Sequence, residues 1–256
     1  MRPPRIVSRA AWLEARKAHL AREKELTRLH DRVRAERRGL PWVLIEKPYV
    51  FEGPQGQVSL AGLFQGRNQL IVQHFMLGPG WTEGCVGCSF SADHVDAARQ
   101  HFERNDLSFA AVSRAPYPEI AAFQSRMGWR FAWVSSFGSD FNADFDVSFT
   151  QQDAANGKVF YNFEVRDYQG DELPGTSVFA KDEAGQVFHT YSAYGRGDEL
   201  LIGAYNFLDL VPKGRNENGP NFDLTDWVRH HDRYDDEAKR QAPADDDACC
   251  ALPKAS

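Results

Sequence analysis

The feature that most constrains the fold is a short apolar run followed by a glycine break and a pair of cysteines. Gln69-Leu70-Ile71-Val72-Gln73-His74-Phe75-Met76-Leu77 is too short to cross a membrane and reads as a buried strand. Gly78-Pro79-Gly80 ends it, and Trp81-Thr82-Glu83-Gly84-Cys85-Val86-Gly87-Cys88 follows. From Ser89 onward Phe90, His94, Ala97, Ala98, His101 and Phe102 fall on one helical face. Leu107 to Val112 then reads as a second buried strand. Strand, turn, helix and strand in that order close as a parallel crossover, with Cys85 and Cys88 at the start of the helix.

A C-x-x-C in that position suits dithiol–disulfide chemistry, because the spacing brings two sulfurs within bonding reach and a helix N-terminus favours a thiolate. The same spacing is half of a zinc site. The other cysteine pair, Cys249-Cys250, lies in a polar tail far downstream, and His94 and His101 fit a helix face equally well as ligands or as packed residues. Inert buried thiols are the third reading. Adjacent cysteines in a tail suit soft metals or an electron shuttle as well as an incidental role.

The rest of the chain supplies a frame for this unit. Ser8 caps a helix expected to run to about Arg38, where Gly39 and Pro41 stop it. Its stripe of Trp12, Ala15, His19, Leu26, Leu29 and Val33 is thin, and either packs on the body or meets a second copy in a homodimer. Pro41 to Glu52 reads as one or two strands, Pro116 to Met127 as a helix, and Phe131 to Ser136 as a strand. Residues 138–157 read as a long loop rich in Gly, Asp, Asn and Ser, with Phe141, Phe145 and Phe149 among them. Val159 to Val165 reads as a strand. Val178–Ala180 and Gln186–Tyr191 flank a turn and read as a hairpin, and Glu199 to Leu208 as a short helix. The expected fold class is therefore α/β: a thioredoxin-like mixed sheet flanked by helices, with a long N-terminal helix and an inserted loop region. The expected division is a basic helix over 1–40 and a thioredoxin-like domain over 41–212 with an insertion near 138–172. A docking segment over 213–234 and a disordered tail over 235–256 complete it.

Charge narrows the partners. The chain has a net charge of −6, yet residues 1–40 hold twelve Lys or Arg against five Asp or Glu. A basic arm on an acidic body suits a solvated helix with i,i+4 pairs, and aromatic residues are not interleaved with the basic ones as nucleic-acid binding would require. No run reaches a membrane span and no apolar stretch follows Met1-Arg2-Pro3-Pro4-Arg5, so the expected location is the cytoplasm, with no nucleic acid and no membrane as partner. There, paired cysteines are more often catalytic or metal-binding than structural.

The runs EKELTRLHDRVRAERRGLPW, SLAGLFQGRNQLIVQHFMLGPGW, GCVGCSF, VSRAP, RMGWRFAWVSSFGSDFNADF and SVFAKDEAGQVFHTYSAYGRG resemble the domain-of-unknown-function 899 family over about residues 5–235. Members of that family are described as predicted dithiol–disulfide oxidoreductases with a thioredoxin-like fold. The resemblance implies that Cys85 attacks and Cys88 resolves. Gly84 stands where thioredoxins have Trp, and Val86-Gly87 where they have Gly-Pro. The nearest proline to their cis-proline is Pro174, in Leu173-Pro174-Gly175, somewhat early for that role.

Further residues carry a functional and a structural reading side by side. His74, on the strand before the motif, suits a proton relay or a hydrogen-bonded strand position. Glu83 either raises the pKa of Cys85 by like charge or is solvated. Arg114, at the sheet edge where ligands bind in open α/β sheets, suits a thiolate or anionic substrate, or an ion pair. Trp81, with Trp129, Phe131 and Trp133, lines either a groove or a core. Asp140, Asn142, Asp144 and Asp146 hint at a calcium loop, but Phe145 occupies the position that needs glycine.

The function expected is a thiol–disulfide oxidoreductase using Cys85 and Cys88 on protein or small-molecule disulfides, with an unknown reductant, no cofactor and no metal. Its supporting residues are Trp81, His74, Arg114 and Pro174. The alternatives are a redox- or metal-sensing binding module and a thiol peroxidase-like reductase.

Overall fold

The computed structural model describes residues 4–221 and 223–234. The expectation of a disordered tail, and Cys249 and Cys250 with it, lies outside the described residues. The chain forms two compact units, one through Val43 and one from Leu44 onward.

The first unit is helix α1 (Arg9–Arg38). Ser8 caps it, its Oγ accepting from the Ala11 N–H at 3.2 Å, and Arg37 and Arg38 occupy the last turn, where cations meet the free carbonyls. None of its residues is buried. A two-residue strand, β1 (Val43–Leu44), ends the unit's run into the second.

The second unit begins with the hairpin of β2 (Val50–Gly53) and β3 (Gly56–Ser59). Next come β4 (Gln69–His74), α2 (Val86–Ala92), α3 (Val95–Phe102), β5 (Leu107–Ser113), α4 (Tyr117–Met127) and β6 (Ala132–Ser135). The segment between the two halves of the sheet carries α5 (Phe141–Asp144), α6 (Gln151–Asn156) and a separate hairpin of β7 (Lys158–Tyr161) and β8 (Glu164–Asp167). Finally β9 (Gly175–Lys181), β10 (Val187–Tyr194) and α7 (Gly203–Leu208) complete the main sheet and its last helix.

In the main sheet the order β10-β9-β4-β5-β6-β2-β3 is observed. β4, β5 and β6 are parallel, while β9 runs antiparallel to β4 and β10 antiparallel to β9. A parallel pair crossed over by helices, then an antiparallel hairpin on the far edge of the first strand, is the thioredoxin-like arrangement.

Alternation along β4 divides the chemistry between two faces. Leu70 and Val72 pack with Ala110, Val112, Phe141, Phe145 and Phe179. On the opposite face Phe75 packs with Trp133, Phe123, Trp129 and Cys88. The phenylalanines of the inserted segment fill a core, so residues 138–157 are not the long loop their composition suggests. Lys47 reaches Asp140 at 2.8 Å and Asp144 at 2.6 Å, and Asn142 accepts from Ser136 Oγ at 2.6 Å, so these oxygens brace α5.

The single helix expected after Ser89 is two. Asp93 is the C-cap of α2, and its carboxylate accepts from Trp129 Nε1 at 2.8 Å and lies 2.6 Å from His231 Nδ1. The helix expected over Glu199–Leu208 is likewise a 3-10 stretch, Gly195–Leu201, followed by α7.

Candidate active site

Cys85 and Cys88 are both free thiols, the first half-buried and the second buried. Cys85 is the N-cap of α2: its backbone N–H donates to the Met76 carbonyl at 3.0 Å, and its sulfur accepts from the Cys88 N–H at 3.5 Å. Gly84 holds it in place. A Cβ on Gly84 would lie 2.5 Å from Phe75 Cε1 and 2.8 Å from Phe123 Cε1, so only glycine lets the chain pass this close to the core.

The two thiols polarise each other. The Cys88 S–H donates to the Cys85 sulfur, and despite the burial that opposes it, this bond and the N–H groups of Cys88 and Gly87 lower the Cys85 thiol to about 7. Cys88 moves well up, because ionising it would break that bond and place charge in a buried site. α2 is only seven residues long, so direct hydrogen bonds, more than a helix dipole, favour the Cys85 thiolate. Alkylation followed against pH should label Cys85 first with half-maximal rate near pH 7, while Cys88 stays slow; faster labelling of Cys88 would reverse their order.

Around the sulfurs stand residues that the sequence did not mark. Gln73, the buried residue before His74, donates from Nε2 to the Cys88 carbonyl at 3.0 Å. Glu172 is buried at the C-terminal end of the sheet, where the Gly175–His74 pairing brings the loop before β9 beside the motif. Burial raises its carboxyl to about 7, against the pull of Arg114, and Asp171 and Cys85 add to the rise. The acidic pair Asp171-Glu172 in a polar loop gives no sequence signal of burial; only the Leu-Pro-Gly that follows hints at a strand start.

The expected supporting residues are distributed unevenly. Arg114 follows β5 and reaches Asp171 at 2.7 Å and Glu172 at 3.2 Å, so its charge is engaged by carboxylates. Pro174 directly precedes β9, and its carbonyl accepts from Tyr161 Oη at 2.7 Å. No peptide bond among the described residues is cis. Trp81 is half-exposed and lies against Gly78 in the turn before the motif. His74 stands apart from the thiols. It projects to the opposite face, beside Phe141 and Phe145, with Nε2 2.8 Å from Ser177 Oγ, and burial pushes its imidazole down to about 3. A neutral imidazole behind the sheet does not serve as a relay for Cys85.

Glu83 is also engaged elsewhere, by Arg126 at 2.6 Å and Arg233 at 2.7 Å. Arg233 belongs to a C-terminal segment that lies over α2. Leu224 reaches Gly87, Trp227 packs edge-on to Phe90, and the buried His230 places Nε2 2.9 Å from the Gly84 carbonyl. A groove of about 840 Å³ lined by Phe109, Tyr117, Arg130 and Trp133 opens elsewhere on the unit, and neither cysteine lines it.

The fold and the dithiol on α2 together define a thioredoxin-like α/β protein with a C-x-x-C at the start of the helix that follows its central strand. Residues 1–234 match the family of bacterial proteins of unknown function DUF899, and the chain belongs to that family. No curated protein matches it. Among solved structures it is similar to Xanthomonas campestris peroxiredoxin Q, at 17% identity and a TM-score of 0.41, over 62% of this chain and 91% of that one. It is also similar to peroxidoxin BcpB from Mycobacterium tuberculosis, at 13% and 0.43, over 64% and 91%. A third is Xylella fastidiosa PrxQ, at 14% and 0.39, over 64% and 91%. No helix among the described residues is long and apolar enough to cross a membrane.

Proposed function

We propose that the protein is a dithiol–disulfide oxidoreductase acting on protein or small-molecule disulfides. The Cys85 thiolate attacks one sulfur of the substrate, and the other substrate sulfur leaves with the bonding electron pair. Cys88 then attacks Cys85, the remaining substrate sulfur leaves, and a Cys85–Cys88 disulfide closes; a separate reductant returns the pair to the dithiol. The observation that carries this reading is the split between the two sulfurs. Cys85 is half-buried and drawn down towards neutral pH, while Cys88 is buried, held up as the thiol and hydrogen-bonded to it. An attacking thiol works best with its pKa near ambient pH. We place this activity in the cytoplasm, where paired thiols are kept reduced between turnovers.

The test is a redox titration read by mass spectrometry of the peptide that contains both cysteines. The expected result is a single two-electron transition with a midpoint between about −270 and −200 mV, the span from thioredoxin to glutaredoxins. Failure of the peptide to lose two hydrogens under any oxidising buffer would sink the reading.

A further inference from the structure

We infer that His230 is a positioning residue for Cys85: its ring N–H, donated to the Gly84 carbonyl, fixes the peptide that carries the attacking sulfur. The inference rests on Cys85 as the attacking thiol of the reading above, and it gives the C-terminal segment a part in that step.

The need for such a residue begins in the sequence. Gly84 has to be glycine, because a Cβ there would meet Phe75 and Phe123 at 2.5 and 2.8 Å. Glycine also leaves the backbone ahead of the nucleophile without the steric restraint that another residue supplies. The Gly84–Cys85 peptide is held from outside instead, at both ends. Its N–H donates to the Met76 carbonyl at 3.0 Å, and its carbonyl lies 2.9 Å from His230 Nε2. A carbonyl oxygen only accepts, so Nε2 carries the hydrogen. Rotation of this peptide would turn the φ of Cys85, which stands at −54°. That angle belongs to the N-cap geometry in which the Cys85 sulfur accepts from the Cys88 N–H at 3.5 Å. A peptide free to rock would aim the sulfur away from its donors, and the thiolate would lose part of their support.

His230 is itself firmly seated. It is 4% exposed, and its ring lies edge-on to Phe123 at 5.4 Å, the same ring that excludes a Cβ from Gly84. Its Nδ1 is 3.7 Å from Glu83 Oε2, and Glu83 is held in turn by Arg126 on α4 and by Arg233. The flanking residues pin the segment as well. His231 Nδ1 is 2.6 Å from Asp93 at the end of α2, and both oxygens of Asp232 accept from Arg126, at 2.8 and 3.0 Å. An apolar ring would pack on Phe123 as well as an imidazole does; the directed N–H is what it would lack. Packing and positioning are therefore separable by substitution.

The experiment uses the full chain with Cys249→Ser and Cys250→Ser, and follows ionisation of Cys85 against pH by ultraviolet thiolate absorbance. The parent midpoint is expected near 7. His230→Phe keeps a ring against Phe123 and removes the donor. It should move the midpoint up by about one pH unit, the order of one lost hydrogen bond to an ionised group, so the thiolate present at pH 7 falls roughly fivefold. His230→Gln, with an amide N–H of similar reach, should recover at least half of that shift. Val228→Ala lies in the same segment, buried against Phe90, Ile202 and Tyr205, and should lower Tm while leaving the midpoint in place. An unmoved midpoint in His230→Phe, or an equal shift in Val228→Ala, overturns the role of His230. Should His230→Phe fail to fold, nitrogen-15 NMR of the parent decides the matter. The His230 Nε2–H resonance should be present and should shift as Cys85 ionises; a hydrogen on Nδ1 alone, or a resonance indifferent to that ionisation, counts against the role. A parent chain that ionises near 7 but never closes Cys85–Cys88 in the redox titration removes the oxidoreductase reading and leaves the midpoint comparison standing, so the two fail separately.

Discussion

Cys88→Ser is expected to halt turnover at a covalent complex between Cys85 and the substrate. The thiolate-forming sulfur remains, with its backbone donors from Gly87 and Cys88, so the first displacement still proceeds. The sulfur that releases the product is gone, and the mixed disulfide has no internal escape. Disulfide reduction should fall to the uncatalysed thiol–disulfide background while a mass-shifted adduct accumulates on Cys85. Cys85→Ser should be equally inactive and accumulate no adduct, because Cys88 is buried and its thiol is held protonated. Denaturing gels and intact-mass measurements on both variants check this. Equal trapping by both would mean that either sulfur can attack first, and the assigned order would be wrong.

Phe75→Ala should cost about 3–5 kcal/mol of stability. Phe75 is fully buried at the end of the strand that leads to the motif. Its ring centroid lies 4.5 Å from that of Trp133, 5.9 Å from Trp129 and 6.3 Å from Phe123. These are large, interlocked rings that collapse poorly into a void. For a unit of this size the loss corresponds to a fall in Tm of roughly 6–20 °C. The same ring backs Gly84, so the cavity opens directly beneath the residue that positions Cys85. Calorimetry should show the fall, and alkylation should show Cys85 losing its half-maximal rate near pH 7. A loss below about 1 kcal/mol would mean that the neighbouring rings close over the gap.

The part of the fold that could be read from the sequence is the part where periodicity and punctuation agree. Ser8 and Gly39 bracket α1, and the apolar runs at Gln69 and Leu107 are the paired parallel strands. Where composition and packing conflict, packing prevailed. Phe141 and Phe145 sit among Gly, Asp and Asn, yet they close a core against Phe51, Tyr49 and Phe179, and this folds a segment that composition marks as a loop. The two cysteines were legible because their spacing is itself a chemical signal. Glu172 was not, because its burial depends on a strand pairing that no local pattern encodes. One step along β4 reverses the face, so Gln73, not His74, looks toward the thiols, and His74 takes the hydrogen-bonded strand position that was one of its two readings.

The place of β4 in the sheet also sets the order in which the molecule is completed. Its neighbour on one side, β5, follows it closely in sequence, but its neighbour on the other side is β9, and the bond between His74 and Ser177 spans 103 residues. The contact of His230 with the Gly84 carbonyl spans 146. A chain emerging from the ribosome therefore carries the dithiol strand with one edge unpaired until the second half has been made, and the cover over α2 arrives later still. Non-local closures of this kind slow folding and leave strand edges open to other chains. The two cysteines thus follow, during synthesis, a strand whose second partner arrives about a hundred residues later.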